Sequence, residues 1–237
     1  MPRIFDNIEE KLVFYLQETL KISSRADFCI GYFNLRGWKH LEELVNNWDG
    51  SDENCCRLLI GMHRPPQDEL RKAMSLSENE IDQQTVLRLK KKLAEEFKEQ
   101  LMIGIPNNED EKALRKLSNQ LKEKKVRVKL FLRYPLHAKL YLLFRNDLNN
   151  PITGYLGSSN LTFSGLSGQG ELNIDVLDHD ACKKLTKWFD ERWNDRWCFD
   201  ISDELVNVIE ESWARESLIP PYYIYVKIAY HLSQEAR

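Results

Sequence analysis

Leu136-His137-Ala138-Lys139-Leu140-Tyr141, then Gly157-Ser158-Ser159-Asn160-Leu161-Thr162, then Glu171-Leu172-Asn173-Ile174 are the three strings that decide the fold of this chain. Each couples an apolar run to polar groups with chemical capability. His137 and Lys139 stand two residues apart, so on an extended segment both project from one face. Leu136, Ala138, Leu140 and Leu142 take the opposite face, which is the pattern of a strand packed into a core, and Tyr141 continues the first face. About eighteen residues later Ser158 and Asn160 repeat the two-residue spacing with a hydroxyl and an amide. Imidazole, ammonium, hydroxyl and amide together make a cradle suited to a phosphate.

His-x-Lys, then Gly-Ser-Ser-Asn, then a downstream Glu resembles the HKD motif of the phospholipase D superfamily. More narrowly, the run from His137 through Val176 is similar to the PLD-like domains of bacterial nucleases and of those that precede helicase modules in restriction or defence proteins. The resemblance implies an α/β fold, a PLD-like mixed β-sheet flanked by helices. It also assigns roles. His137 is the expected nucleophile, forming a phosphohistidine. Lys139 and Asn160 are expected to bind the non-bridging oxygens, with Ser158 and Ser159 as further substrate-binding candidates. Glu171 is expected to hydrogen-bond the second nitrogen of His137 and fix its tautomer. The chemistry is sound on general grounds: a neutral imidazole is a competent nucleophile near neutral pH. Fixed donors aimed at phosphoryl oxygens stabilise the charge of the transition state. No metal or other cofactor is required, because lysine and amides supply that charge stabilisation.

Two departures from the family pattern stand out. Phe144 occupies the place of the family's acid, five positions after the lysine, with Asp147 and Asp175 as conceivable replacements. Gly157-Ser158 stands where a glycine pair is usual. The motif also occurs once: His40, His63, His179 and His231 have no lysine two residues on. The mechanism needs one histidine as nucleophile and another as acid for the leaving group. The expectation is therefore a C2 homodimer with both motifs at the interface.

The 237 residues, 42% of them apolar, can bury a sizeable core. A net charge of −3 excludes a strongly basic nucleic-acid binder, so contact with DNA, or with RNA, must come from a local surface. Five cysteines with no CxxC spacing fit reduced thiols in a cytoplasmic protein. No signal peptide and no apolar run of about 18 residues occurs, so no membrane association is expected.

The division expected is a PLD-like α/β domain over residues 1–200, with a helical insertion at about 67–125. A helical C-terminal extension over 201–237 would follow, and could link to a missing domain. Periodicity predicts a helix near 7–22, a strand at 26–33 and a helix from Trp38 through about Asn47. Tyr32, Phe33 and Asn34 follow the strand and either line the cleft or pack in the core. A strand at 56–61 ends in His63 and Arg64, where open α/β sheets place ligands; Arg64 is a candidate phosphate contact or an ordinary loop residue. Basic runs at 88–92 and 122–129 could track a nucleic-acid backbone or be solvated helix faces. Strands are expected at 126–132, 153–156 and 171–176, with a hairpin loop at 146–151 and a small-residue loop at 162–170. A helix at 180–194 turns Leu185, Trp188, Phe189 and Trp193 inward.

The function these features point to is a phosphodiesterase, most simply a DNA nuclease acting as a homodimer, with a helicase domain expected in the same full-length protein. A second class stays open: a catalytically silent nucleic-acid-binding or dimerisation module, for which Phe144 is the best support.

Overall fold

The computed structural model describes residues 2–61, 90–91, 95–99, 101, 107–215 and 221–235. Its centre is β5 (Leu140–Arg145), the strand that the His-x-Lys string feeds. Tyr141 and Leu143 point to one side of it and Leu140, Leu142 and Phe144 to the other, as the two-residue period requires. Both sides are apolar because helices cover both.

Eight strands form one mixed sheet in the order β1-β7-β6-β5-β2-β3-β4-β8. Here β1 is Ile4–Phe5, β2 Ser23–Ile30, β3 Cys56–Ile60, β4 Val126–Phe131, β6 Ile152–Gly157, β7 Asn173–Val176 and β8 Cys198–Asp200. β2, β3 and β4 run parallel, and the other pairings are antiparallel. Consequently the C-terminal ends of β2, β3, β4 and β6 and the N-terminal ends of β5 and β7 all lie along one border of the sheet. All three strings meet that border.

The larger core lies on the Tyr141 side. α1 (Leu12–Lys21) contributes Leu12, Val13, Leu16 and Leu20, all buried. Each such side chain contributes about 1.5–3 kcal/mol by leaving water. α2 (Asn108–Lys122) starts at Asn107, whose side chain accepts from the Asp110 amide, and buries Leu114, Leu117 and Leu121. Among the described residues of the expected helical insertion, this helix is therefore part of the main core. A fully buried Trp38 donates Nε1–H to Gln120 Oε1 at 2.8 Å, tying the segment after β2 to α2.

The opposite face is covered by α4 (His179–Trp193), which buries Phe189 and Trp193 against Leu140, Leu142 and Cys29. Beneath this helix sits an ion network. Asp27, fully buried on β2, accepts two bonds from Arg57 at 2.6 and 2.7 Å and two from Arg25 at 2.8 and 3.4 Å. Arg57 also reaches Asp190 at 2.7 Å. Burial pulls the Arg57 pKa down, but the bonds and charges of Asp27 and Asp190 outweigh it and leave the pKa above the ordinary arginine value.

Three expectations need correcting. The segment after β2 is a 3-10 helix (Leu35–His40) followed by turns, not a helix to Asn47, because a Cβ at Gly37 would press on the backbone of Leu161 and Thr162, so the chain is clamped against that loop. The loop expected at 162–170 contains a short helix, α3 (Phe163–Ser167), whose N-cap Thr162 accepts from the Gly165 amide. The motif strand begins at Leu140 instead of Leu136: β2 pairs only as far as Cys29 opposite Leu140, leaving no ladder partner on that side for 136–139. α5 (Ser202–Glu210), a helix as expected for this segment, packs Ile201, Leu205, Val206 and Ile209 into the main core. α6 (Pro221–Glu235) is the true outlier, with Tyr222, Tyr225 and Leu232 all exposed. Among the described residues no helix is long and apolar enough to cross a membrane, and the five cysteines are free thiols.

Candidate active site

The chain leaves β4, crosses back over the end of β3 and enters β5. Backbone bonds Gly61 N–H to Ile30 O and Leu136 N–H to Gly61 O, both 2.9 Å, stitch this crossing. Glycine is required at 61 because a Cβ would collide with the Leu136 backbone. The crossing sets His137 at the border, exposed, one residue after the anchored Leu136.

Lys139 is 3% exposed, yet its ammonium turns back to His137. Nζ lies 2.9 Å from Nδ1, 2.8 Å from Nε2 and 3.2 Å from the carbonyl of His137. The expected pairing of imidazole and ammonium is thus present, although the segment is not a ladder strand. Burial lowers the Lys139 pKa, and the neighbouring Glu171 and Cys29 act in the other direction. Burial pushes the Cys29 thiol itself up to about 12.

Asn160 arrives from the end of β6. Its Oδ1 accepts from the amides of Gly31 and Tyr32 at 3.0 and 2.9 Å, which clamps the side chain onto the end of β2. With the oxygen committed, the amide's N–H donors are the part left for an anion. Ser158 is exposed and exchanges bonds with the Leu172 backbone, its Oγ accepting from Leu172 N at 2.9 Å. Tyr32 stands at the rim, half exposed. Arg64 lies outside the described residues.

Two site expectations are revised. Ser159 is fully buried: its Oγ accepts from Asn7 Nδ2 at 3.1 Å and Asn173 Nδ2 at 2.9 Å, and its carbonyl accepts from Tyr141 at 2.8 Å. It therefore braces the loop from below and is not open to substrate. Glu171 makes no hydrogen bond to His137 among the described residues. Its amide is tied to Asp6 O at 3.1 Å, and its carboxylate raises the pKa of Lys139.

Asn7 and Asn173 are the functional supports that the motif does not announce. Asn7, 2% exposed and at φ 62°, donates to Ser159 and to Gly165 O and accepts from Leu12 N. Asn173 accepts from Ser159 N at 3.2 Å. A buried asparagine inside an apolar strand pattern was the available signal for Asn173. Nothing local marks Asn7, whose partner is 152 positions away.

Phe144 lies five residues down β5 from Lys139, roughly 16 Å along the strand. Its ring packs toward α4 and carries the Arg25 guanidinium at 4.4 Å. Asp147 caps the hairpin turn by accepting from Asn149, and Asp175 accepts from the Arg3 amide, so neither is a stand-in at the border. Phe144 thus subtracts no group from the site.

Residues 23–193, well over half of the chain, match the family model described as "Cardiolipin synthase, PLD-like domain". The chain belongs to this PLD-like family. Its sheet, flanked by helices on both faces, is the α/β class that the motif implied. Among solved structures, the PLD-like chain is similar to Nuc from Salmonella typhimurium, a phospholipase D family member, with 12% identity over 84% of this chain and 97% of that one and a TM-score of 0.47. It is similar to NucT from Helicobacter pylori, with 10% identity, 84% and 98% coverage and a TM-score of 0.47. For phosphatidylserine synthase from Haemophilus influenzae Rd KW20 the values are 11%, 89%, 44% and 0.49. No curated protein matches the sequence.

The Lys139 environment has a pH consequence. The motif resemblance assigns phosphate binding to the ammonium, and such binding would be lost as pH rises through the Lys139 pKa. Because burial lowers that pKa, the loss comes at a lower pH than for an ordinary lysine. The alkaline limb of kcat/KM should fall early, and Lys139→Arg should move it upward while altering the oxygen contacts.

Proposed function

We propose that this PLD-like chain is a phosphodiesterase that cleaves DNA through a phosphohistidine, as a homodimer whose two motifs share one site. The observation that carries it is the convergence of His137, Lys139 and Asn160 on one border of the sheet, an exposed imidazole beside a buried ammonium. A ring nitrogen of His137 attacks phosphorus, and the bond from phosphorus to the leaving oxygen breaks. That oxygen takes a proton from the partner's His137. Water then attacks the phosphohistidine and gives its proton to the same imidazole, the P–N bond breaks, and His137 is regenerated. Lys139 and the Asn160 amide stabilise the phosphoryl oxygens in both steps. No metal is needed by this chemistry.

The DNA preference, and a helicase module in the same full-length protein, rest on the resemblance of the His137–Val176 run to nuclease and defence domains. The test is cleavage of labelled single- and double-stranded DNA in excess EDTA, beside RNA and lipid diester controls. Cleavage of DNA alone is the expected result, and activity confined to a lipid diester would replace the substrate. Light scattering should give twice the 28.0 kDa chain mass. An active monomer would remove the shared site.

A further inference from the structure

Residues 3–12 precede the stretch that matches the family, which begins at residue 23, yet they touch both the loop that carries Asn160 and the segment that carries Glu171. β1 pairs with β7, Ile4 opposite Ile174 and Phe5 opposite Asn173. Phe5 is buried, its ring against Tyr15 at 4.7 Å and Tyr155 at 5.7 Å. The carbonyl of Asp6 accepts from the Glu171 amide at 3.1 Å. At Asn7 the backbone turns into the left-handed region, φ 62°, which asparagine tolerates better than most residues other than glycine. That turn leaves the Asn7 side chain buried.

Every polar atom of this side chain is used. Nδ2 donates to Ser159 Oγ at 3.1 Å and to Gly165 O at 2.8 Å, and Oδ1 accepts from Leu12 N at 2.9 Å. The partners fix which atom is which, because the Leu12 N–H only donates and the Gly165 carbonyl only accepts. Oδ1 therefore secures the start of α1, whereas Nδ2 grips the loop on either side of Asn160. From Ser159 the link to Asn160 is one peptide bond. From Gly165 it runs through the Gly165 amide to Thr162 Oγ1 at 3.0 Å, and through the Thr162 amide to Asn160 O at 2.8 Å. Two routes from one amide thus converge on the residue whose Oδ1 is already clamped by Gly31 and Tyr32.

We infer that Asn7 is a positioning residue for the diester reaction, holding the loop so that the Asn160 N–H donors point at the phosphoryl oxygens. The inference rests on the proposed phosphohistidine chemistry, in which those donors stabilise developing charge. Asn7 is buried and acts only through Ser159 and Gly165. Lys139 is held from another part of the border, beside His137, and continues to bind the ground-state diester when the brace is cut. The brace therefore governs kcat more than KM.

The test compares full chains carrying Asn7→Gly, Ser159→Ala, both changes, or Asp27→Ala, on bis(p-nitrophenyl) phosphate and its phosphorothioate analogue. Glycine keeps the positive φ at position 7 and removes only the side chain. Ser159→Ala cuts one route and leaves the Leu12 bond in place. The expected kcat of Asn7→Gly is about 10–10²-fold below the parent's at a similar KM, the scale set by a catalytic group misplaced by about 1 Å. The double variant should lose less than the product of the two single losses, since both changes act on one loop. The ratio of oxygen to sulfur rates should drop about threefold or more in Asn7→Gly and Ser159→Ala, because a contact to a non-bridging oxygen is weakened. Asp27→Ala, destabilised elsewhere, should keep the parent's ratio. The ratio does not depend on the fraction of chains folded, so a merely structural role would leave it unchanged. An active parent whose kcat and ratio survive Asn7→Gly would overturn the brace and leave the activity in place. If Asn7→Gly lacks the parent's circular dichroism spectrum, Ser159→Ala decides by the same ratio. A parent that hydrolyses no diester would overturn the activity itself, and the part assigned to Asn7 with it.

Discussion

His137→Ala should reduce diester hydrolysis by about 10³-fold or more while leaving the fold and the dimer unchanged. The side chain is exposed and packs nothing, so its removal opens no cavity. Lys139 loses a neighbour but keeps Glu171 nearby. Among the described residues nothing else at the border replaces the nucleophile: Ser158 is engaged with the Leu172 backbone, and Cys29 is buried with its thiol pushed up to about 12. Full activity of the variant would end the histidine mechanism. Unaltered binding of an oligonucleotide with no turnover is what the proposed chemistry expects, because Lys139 and Asn160 still bind phosphate.

The largest stability effect should come from Asp27→Ala. This carboxylate is fully buried between Arg25 and Arg57, whose side chains are only 14% and 12% exposed. Removing it takes the buried partner from Arg25 and leaves Arg57 with Asp190 alone, in a region dried by Phe144, Phe189 and Trp193. Breaking a buried ion pair in this way costs about 3–5 kcal/mol, against a typical total of about 5–15 kcal/mol for a domain. Asp190 continues to hold Arg57, so the loss should fall within that range and not beyond it. Urea denaturation with an unchanged m-value checks this, and a loss below about 1 kcal/mol would mean that solvent reaches the network. The site lies across the sheet border, so the folded fraction should retain its activity.

How much of this was legible beforehand depends on the range of the contacts. The alternation at Leu140, Tyr141, Leu142 and Leu143 is local, and it placed the central strand and its two apolar sides. His137 with Lys139 was legible for the same reason. Ser159 was readable too, since its neighbours Ser158 and Asn160 share the outward face and leave it the inward one, yet the motif's serine pair drew it into the substrate set. The starting point of β5 was not legible, because it depends on where β2 stops. Neither was the role of Asn7, which exists only once residues 152 positions apart meet. Glu171 was expected to bond to His137, whereas its charge acts on Lys139, a distinction that only the third dimension makes. The packing of the segment from 201 was not legible for a similar reason: Leu205 and Ile209 have an ordinary amphipathic period, and nothing in it says which core they complete.

The most direct measurement is to trap the intermediate. The full chain is mixed with a labelled diester substrate, quenched in alkali within a single turnover, digested and read by mass spectrometry. A phosphoryl adduct on the peptide containing His137, stable in base and labile in acid, present in the parent and missing from His137→Ala, is the predicted result. Complete turnover with no adduct on that peptide would contradict a covalent histidine and leave the border of the sheet as a binding cradle for some other chemistry.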